Sequence, residues 1–160
     1  MQSDKLLRQH VVKLLTSQDA HVDFETAIKD LPAKVRGQRP KGAEHSPWEV
    51  LEHLRITQWD LLEFAINPQH KSPEFPAGYW PASQAPAGAA EWDRSAENFR
   101  KDLKRLCELV STESMDLFAK IPHGDGQTVL RQALVTADHN GYHLGELVLL
   151  RRMLGAWRSS

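Results

Sequence analysis

The sequence predicts an all-α protein, a four-helix bundle with one long crossover connection. Three observations carry that expectation. Apolar residues recur at helical spacing in four long stretches, and no internal repeat interrupts them. Ser46-Pro47-Trp48-Glu49 combines a capping serine, a first-turn proline and a glutamate three residues after the cap. Residues 67–88 then hold five prolines (Pro68, Pro73, Pro76, Pro81, Pro86), which forbids regular structure between the second and third long helices. At 160 residues, the chain fits a single domain over 1–160 and can bury a core without disulfide or metal staples.

In chain order, residues 4–16 place Leu7, Val11 and Leu14 on one stripe, with Leu6, His10 and Leu15 beside it. His10 is expected at the boundary of the core. A break at Ser17–Asp19 precedes a short helical piece with Phe24, Ala27, Ile28 and Leu31, stopped by Pro32. From Ser46 to about Ala65, Val50, Leu54, Leu61 and Phe64 form an apolar side. The crossover at 67–88 is long for a compact domain, and Tyr79 and Trp80 at its middle suit a segment packed over one end of the bundle. Residues 89–111 carry Trp92, Ala96, Phe99, Leu103, Leu106 and Val110 at alternating steps of four and three. The last helix spans Thr128 to Leu154, with Arg151 and Arg152 near its end and Gly155 as the stop. A bundle with one long crossover is not simply up-down-up-down.

Composition excludes several classes of function. A formal net charge of −1 lacks the basic excess that nucleic acid or an anionic membrane surface would require. The N-terminus mixes acid, base and amide, unlike a signal peptide, and no apolar run approaches the ~18 residues of a membrane span. The single cysteine, Cys107, excludes an internal disulfide and a Cys-rich zinc site, and fits a cytoplasmic setting. It reads as a small core residue.

The chemistry lies in histidine. Asp138-His139-Asn140-Gly141-Tyr142-His143-Leu144-Gly145-Glu146 puts His143 about 40° from His139 around the helix, with Glu146 about 20° to the other side. That row continues through Leu150, Met153 and Trp157, so polar groups are set into a core-facing stripe. Histidines at i and i+4 present two nitrogens to one ion, although the pair alone is a weak motif. His53 also faces inward, in line with Val50, Thr57, Asp60 and Leu61. If its helix neighbours the last one, three imidazoles converge, and three ligands with an open position suit a catalytic metal. Imidazole suits zinc, nickel, iron or copper. Glu146 and Asp60 are candidate acceptors for the outer ring nitrogens, and Glu146 is also a candidate ligand or general base. Trp80 is a candidate roof of a pocket. His21, His45 and His70 fall at breaks or loops and read as solvated. His123, ahead of the last helix, reads as an exposed loop residue that could reach a site opening.

Ser46-Pro47-Trp48-Glu49-Val50-Leu51-Glu52-His53-Leu54 resembles the start of the second long helix in DinB/YfiT-like proteins. Asp138-His139-Asn140-Gly141-Tyr142-His143-Leu144-Gly145-Glu146, followed by Leu150-Arg151-Arg152-Met153-Leu154-Gly155-Ala156-Trp157, is similar to their C-terminal ending. The likeness takes in the Tyr79-Trp80-Pro81 crossover as well. It implies a four-helix bundle whose metal ligands correspond to His53, His139 and His143, and a homodimer. The ion expected is one divalent transition metal, zinc or nickel, with iron or manganese as alternatives.

The resemblance also implies a metal-dependent S-transferase or hydrolase, acting on a small molecule with water or a low-molecular-weight thiol as nucleophile. A non-catalytic stress-response metal-binding dimer is the competing expectation. In that case Glu146 or His123 would close the coordination shell.

Overall fold

The helix start at Ser46 is built as its residues require. Ser46 Oγ accepts the Glu49 backbone N–H at 3.2 Å, and the Glu49 carboxylate accepts the Ser46 N–H at 2.8 Å. This capping box opens α3 (Pro47–Ile66) in a computed structural model that describes residues 2–16 and 20–157. The other helices are α1 (Gln2–Leu15), α2 (Phe24–Ile28), α4 (Ala89–Ser111) and α5 (Val129–Met153). Single 3₁₀ turns stand at Ala33–Val35 and Ala77–Tyr79. The fold is all-α: among the described residues there is no strand, only one isolated bridge between Lys120 and Thr128. The break expected at Ser17–Asp19 lies outside the described residues.

Four long helices make the body, and their mutual contacts fix its topology. α3 packs on α4 and α5, and α1 packs on the same two from the opposite side. α3 and α4 run parallel: Trp48 meets Trp92 near their starts, and Arg105 pairs with Glu63 at 2.9 Å near their ends. α5 runs against both, since Gln58 takes an amide hydrogen from Asn140 while Leu61 takes one from Gln132. A parallel α3–α4 pair needs a connection that returns the full length of a helix, which is what residues 67–88 provide.

That connection is fastened rather than loose. Ser46 Oγ donates to the Gln84 carbonyl at 2.6 Å, and Gln84 Nε2 donates to the Gly37 carbonyl at 2.9 Å. A Cβ at Gly37 would stand 2.3 Å from that of Ala85, so only glycine admits so close an approach.

Two apolar clusters fill the bundle. Trp48, Leu51, Leu54, Trp92, Phe99, Leu147 and the α2 residues form one toward the start of α3, while Val11, Leu62, Leu106, Val110 and Ala133 form the other toward its end. The α4 stripe is buried as expected, apart from half-buried Leu103, which packs against both clusters.

The α1 stripe is rotated from the expected one. Arg8, Val11 and Leu15 are buried, whereas Leu14 and His10 are exposed. The cause is Arg8, whose guanidinium donates to the carbonyl of Val110 in the last turn of α4 and to those of Thr112 and Met115 beyond it. Those bonds decide which face of α1 turns inward. On α5, Leu150 is buried as expected, but Met153, the last residue of the helix, is exposed. On α3, Leu61 and Phe64 are only half-buried, the inward role passing to Leu62.

Candidate metal centre

α3 supplies His53, and α5 supplies His139 and His143 one turn apart. Because these helices are antiparallel neighbours, the three rings meet, with centroids 4.5 to 4.8 Å from one another. One nitrogen from each lies within 4.8 Å of the other two. His53 Nε2 and His139 Nε2 are 2.9 Å apart.

The outer nitrogens have distinct partners. His53 Nδ1–H donates to the Tyr79 carbonyl at 2.8 Å, which leaves its Nε2 as a lone pair turned toward the cluster. His143 Nδ1–H donates to Glu146 Oε2 at 2.8 Å, and the other oxygen of the same carboxylate takes a hydrogen from His45 Nδ1 at 3.0 Å. Glu146 therefore stands where the sequence places an acceptor. Asp60 does not touch the three rings. Seven residues on from His53, about 10 Å along the helix, its carboxylate accepts from His70 Nε2–H and from the Tyr79 hydroxyl, both at 2.8 Å. It holds the crossover, and the crossover's Tyr79 carbonyl holds His53. Trp80 covers the cluster, stacked on both His53 and His45 with centroids 3.9 Å apart.

The donor set fits a divalent transition metal. With the His53 proton on Nδ1, only His139 can supply the proton between the two facing Nε2 atoms. The buried His139 Nδ1 is then an acceptor, and it has no hydrogen-bond partner. If the proton sits on His139 Nδ1 instead, two lone pairs face each other at 2.9 Å. A cation held by these rings would resolve that conflict. Electrostatics favour the ligand forms too. Burial pushes the His139 imidazole down to about 3, and the neighbouring His143 and His53 act in the same direction. Burial also lowers His53, against the pull of the Tyr79 carbonyl. Burial would raise Glu146, but the bonds from His143 and His45 outweigh it and keep the carboxyl below its ordinary range. Neutral imidazoles and an ionised outer acceptor are what a metal centre requires.

A sequence model of the DinB superfamily matches residues 18–147. The chain belongs to the DinB superfamily. No curated protein and no solved structure matches it. Within this DinB-superfamily chain, the matched span takes in α3, the crossover between α3 and α4, and α5 as far as Leu147, so that all three histidines fall inside it.

Two histidines that read as solvated are not. His45 is bound to Glu146 and stacked on Trp80, and His70 is bound to Asp60 with its ring edge-on to Trp59. Both sit in irregular segments, where no periodicity reports burial. The usable signal for His45 was its position directly before the α3 cap, at the end of the bundle that holds the cluster. His123 donates to the Phe64 carbonyl, eleven residues beyond His53 and about 16 Å along α3. It therefore lies at the far end of that helix. His21 is exposed, as expected.

Proposed function

We propose that this DinB-superfamily protein is a metal-dependent enzyme, an S-transferase or hydrolase that turns a water or a low-molecular-weight thiol on a small electrophile. One observation carries the proposal: three imidazoles converge, two of them already oriented by acceptors, with no fourth histidine or carboxylate among the described residues completing the group. His53, His139 and His143 would hold a divalent metal, which when bound would supply Lewis-acid chemistry able to lower the pKa of a water or thiol.

The chain's own groups prepare the site. The Tyr79 carbonyl and Glu146 keep protons on the outer ring nitrogens of His53 and His143, so the inner nitrogens offer lone pairs. Trp80 lies flat on His53 and keeps water from that face. Both oxygens of Glu146 are engaged, which suits an orienting role rather than that of a free base. Burial pushes the Cys107 thiol up to about 11, in the second apolar cluster and away from the histidines. A thiol nucleophile would thus be exogenous, and a cytoplasmic setting suits its supply.

The structural-ion alternative needs a protein group to close the shell. Both of its candidates, Glu146 and His123, are bound elsewhere, which favours the enzyme. Three imidazoles suit zinc or nickel, with iron an alternative and manganese, which prefers oxygen ligands, the weakest fit.

Elemental analysis of tag-free protein beside His143→Ala tests the reading. Stoichiometric metal in the first and none in the second supports it. No metal after reconstitution with zinc, nickel, iron and manganese sinks it. Assays of the loaded protein with an electrophile, with and without added thiol, then separate transferase from hydrolase.

A further inference from the structure

Trp80 lies between two imidazoles. Its indole stacks on His53 with centroids 3.9 Å apart and planes 3° apart, and on His45 at 3.9 Å and 14°. Two imidazoles on one face of an indole would meet edge to edge. The rings of His45 and His53 make no aromatic contact with each other, so they flank the indole from opposite sides.

The two walls do not depend on what stands between them. His53 is fixed by its bond to the Tyr79 carbonyl at 2.8 Å, and His45 by its bond to Glu146 at 3.0 Å. The indole is fixed by much less. Among the described residues its N–H has no hydrogen-bond partner, and Trp80 is half-buried rather than buried. The chain on either side is fastened, Tyr79 by its hydroxyl and carbonyl, Gln84 by its carbonyl and side chain. The side chain alone can therefore turn outward about its own rotatable bonds, with no hydrogen bond broken. Behind it would remain a preformed slot one aromatic ring thick.

That slot borders the candidate metal centre. One wall is itself one of the three convergent histidines, and the ring between the walls has its centroid 6.2 Å from that of His143. Four clefts of about 280 to 990 Å³ on the described surface touch neither Trp80 nor any of the three histidines.

We infer that Trp80 occupies a substrate slot, and that the small electrophile taken by this protein is a flat conjugated molecule whose ring replaces the indole between His45 and His53. The inference rests on the enzymatic reading and narrows its substrate class. Parallel aromatic walls one ring apart stack on a flat π-system and exclude a puckered saturated ring. Until such a molecule competes for the slot, Trp80 keeps water out of it.

Two probes test this on the full chain, as purified and again after loading with zinc. Meta-dinitrobenzene has a flat, electron-poor ring and no leaving group, and nitrocyclohexane has a saturated ring. Equilibrium dialysis is expected to show binding of the first and not of the second. Trp80→Ala should bind meta-dinitrobenzene about tenfold more tightly, because no indole has to be displaced. Adding His45→Ala removes a wall and should abolish that gain. In the wild type, the indole N–H resonance that is missing from Trp80→Phe should shift as the probe binds, while those of the other four tryptophans hold still. Equal binding of the two probes overturns the inference. So does a Trp80→Ala variant of unchanged helical circular dichroism that binds no tighter than the wild type, or a Trp80 resonance that stays in place at saturation. Failure to bind the flat ring in a protein that holds stoichiometric metal strikes the slot alone. Binding to a protein that takes up no metal supports the slot and strikes the enzymatic reading instead.

Discussion

Two kinds of buried polar cluster sit in this bundle, and they are finished differently. Arg8 donates to Asp4 and to three carbonyls at and just beyond the end of α4, at 2.7 to 2.9 Å. Arg151 donates to the carbonyls of Ala27, Lys29 and Ala156, tying α2 to the end of α5. A guanidinium has five N–H groups, and helix ends leave carbonyls free, so each arginine is a nearly saturated joint. Around the histidines the accounting fails to close. His139 Nδ1, Asn140 Oδ1 and Thr57 Oγ1 are all buried without a partner. Each such atom costs about 1–3 kcal/mol. Partnerless buried atoms also occur at Arg36 Nη1, Trp48 Nε1 and Gln127 Oε1, but beside His139 the ring nitrogens have in addition the geometry of metal ligands. Saturation marks the two arginine joints; the histidine cluster is set apart by ring nitrogens that converge on one point while His139 Nδ1 goes without a partner.

The sharpest test is to remove one member of each cluster and read stability and metal content together. His139→Leu should lower metal affinity by more than the roughly 100-fold that losing an outer partner causes. Metal-free stability should hold or rise, because a poorly satisfied buried imidazole gives way to an apolar group. Chelator competition reads the first quantity and urea unfolding of the metal-free protein the second. Arg151→Met should do the reverse. It strands carbonyls at two helix ends and should cost about 3 kcal/mol, with metal per folded chain unchanged. If His139→Leu destabilised the metal-free protein as much as Arg151→Met does, the distinction between the clusters would be wrong.

How far this contrast was legible in the sequence depends on periodicity. The helix spans and the His53, His139 and His143 trio lie on regular elements, where 100° per residue tells which residues share a face. Ser46, Thr128 and Gly155 marked boundaries because capping is local chemistry. Arg8 was hidden, because an arginine on an apolar stripe reads as an edge residue until the carbonyls it meets, more than a hundred residues away, are known. His45 and His70 were hidden because loop conformation is fixed by long-range bonds rather than by neighbours. Asp60 shared the row of His53, yet its distance along the helix handed it to the crossover. Rotation about an axis is readable from spacing; the partner across it is not.

A milder test probes the outer rim of the candidate metal centre. His45 is joined to His143 only through Glu146, and to His53 only through Trp80. It is a positioning residue. His45→Ala should weaken metal binding 10–100-fold, the usual range for an outer partner. His45→Gln keeps a donor for Glu146 and should recover part of the loss, which a purely steric role would not predict. Competition titration with a chelator of known affinity separates the two variants. An unchanged affinity in His45→Ala would confine the functional cluster to the three ligands and Glu146.

The smallest effect is expected at Glu49, a buried carboxylate of the saturated kind that sits one turn before His53. Burial alone would raise its pKa. The Arg39 guanidinium and the Ser46 N–H outweigh burial and hold it below the ordinary 4.5. A carboxyl depressed in the folded state contributes stability that is fully present above its unfolded pKa and is lost as pH falls through the folded value. Acid below about pH 4.5 should therefore weaken the wild type through this residue. Glu49→Gln should remove that part of the pH dependence, at a cost of about 1 kcal/mol near neutrality for the lost charge pairing and weakened cap. Because every partner of Glu49 is protein, its loss should leave metal affinity at pH 7 where it was. Urea midpoints of the two proteins between pH 3.5 and pH 7, beside one metal titration at pH 7, decide the point. If Glu49→Gln released metal, the start of α3 would belong to the functional cluster and not to the frame that carries it.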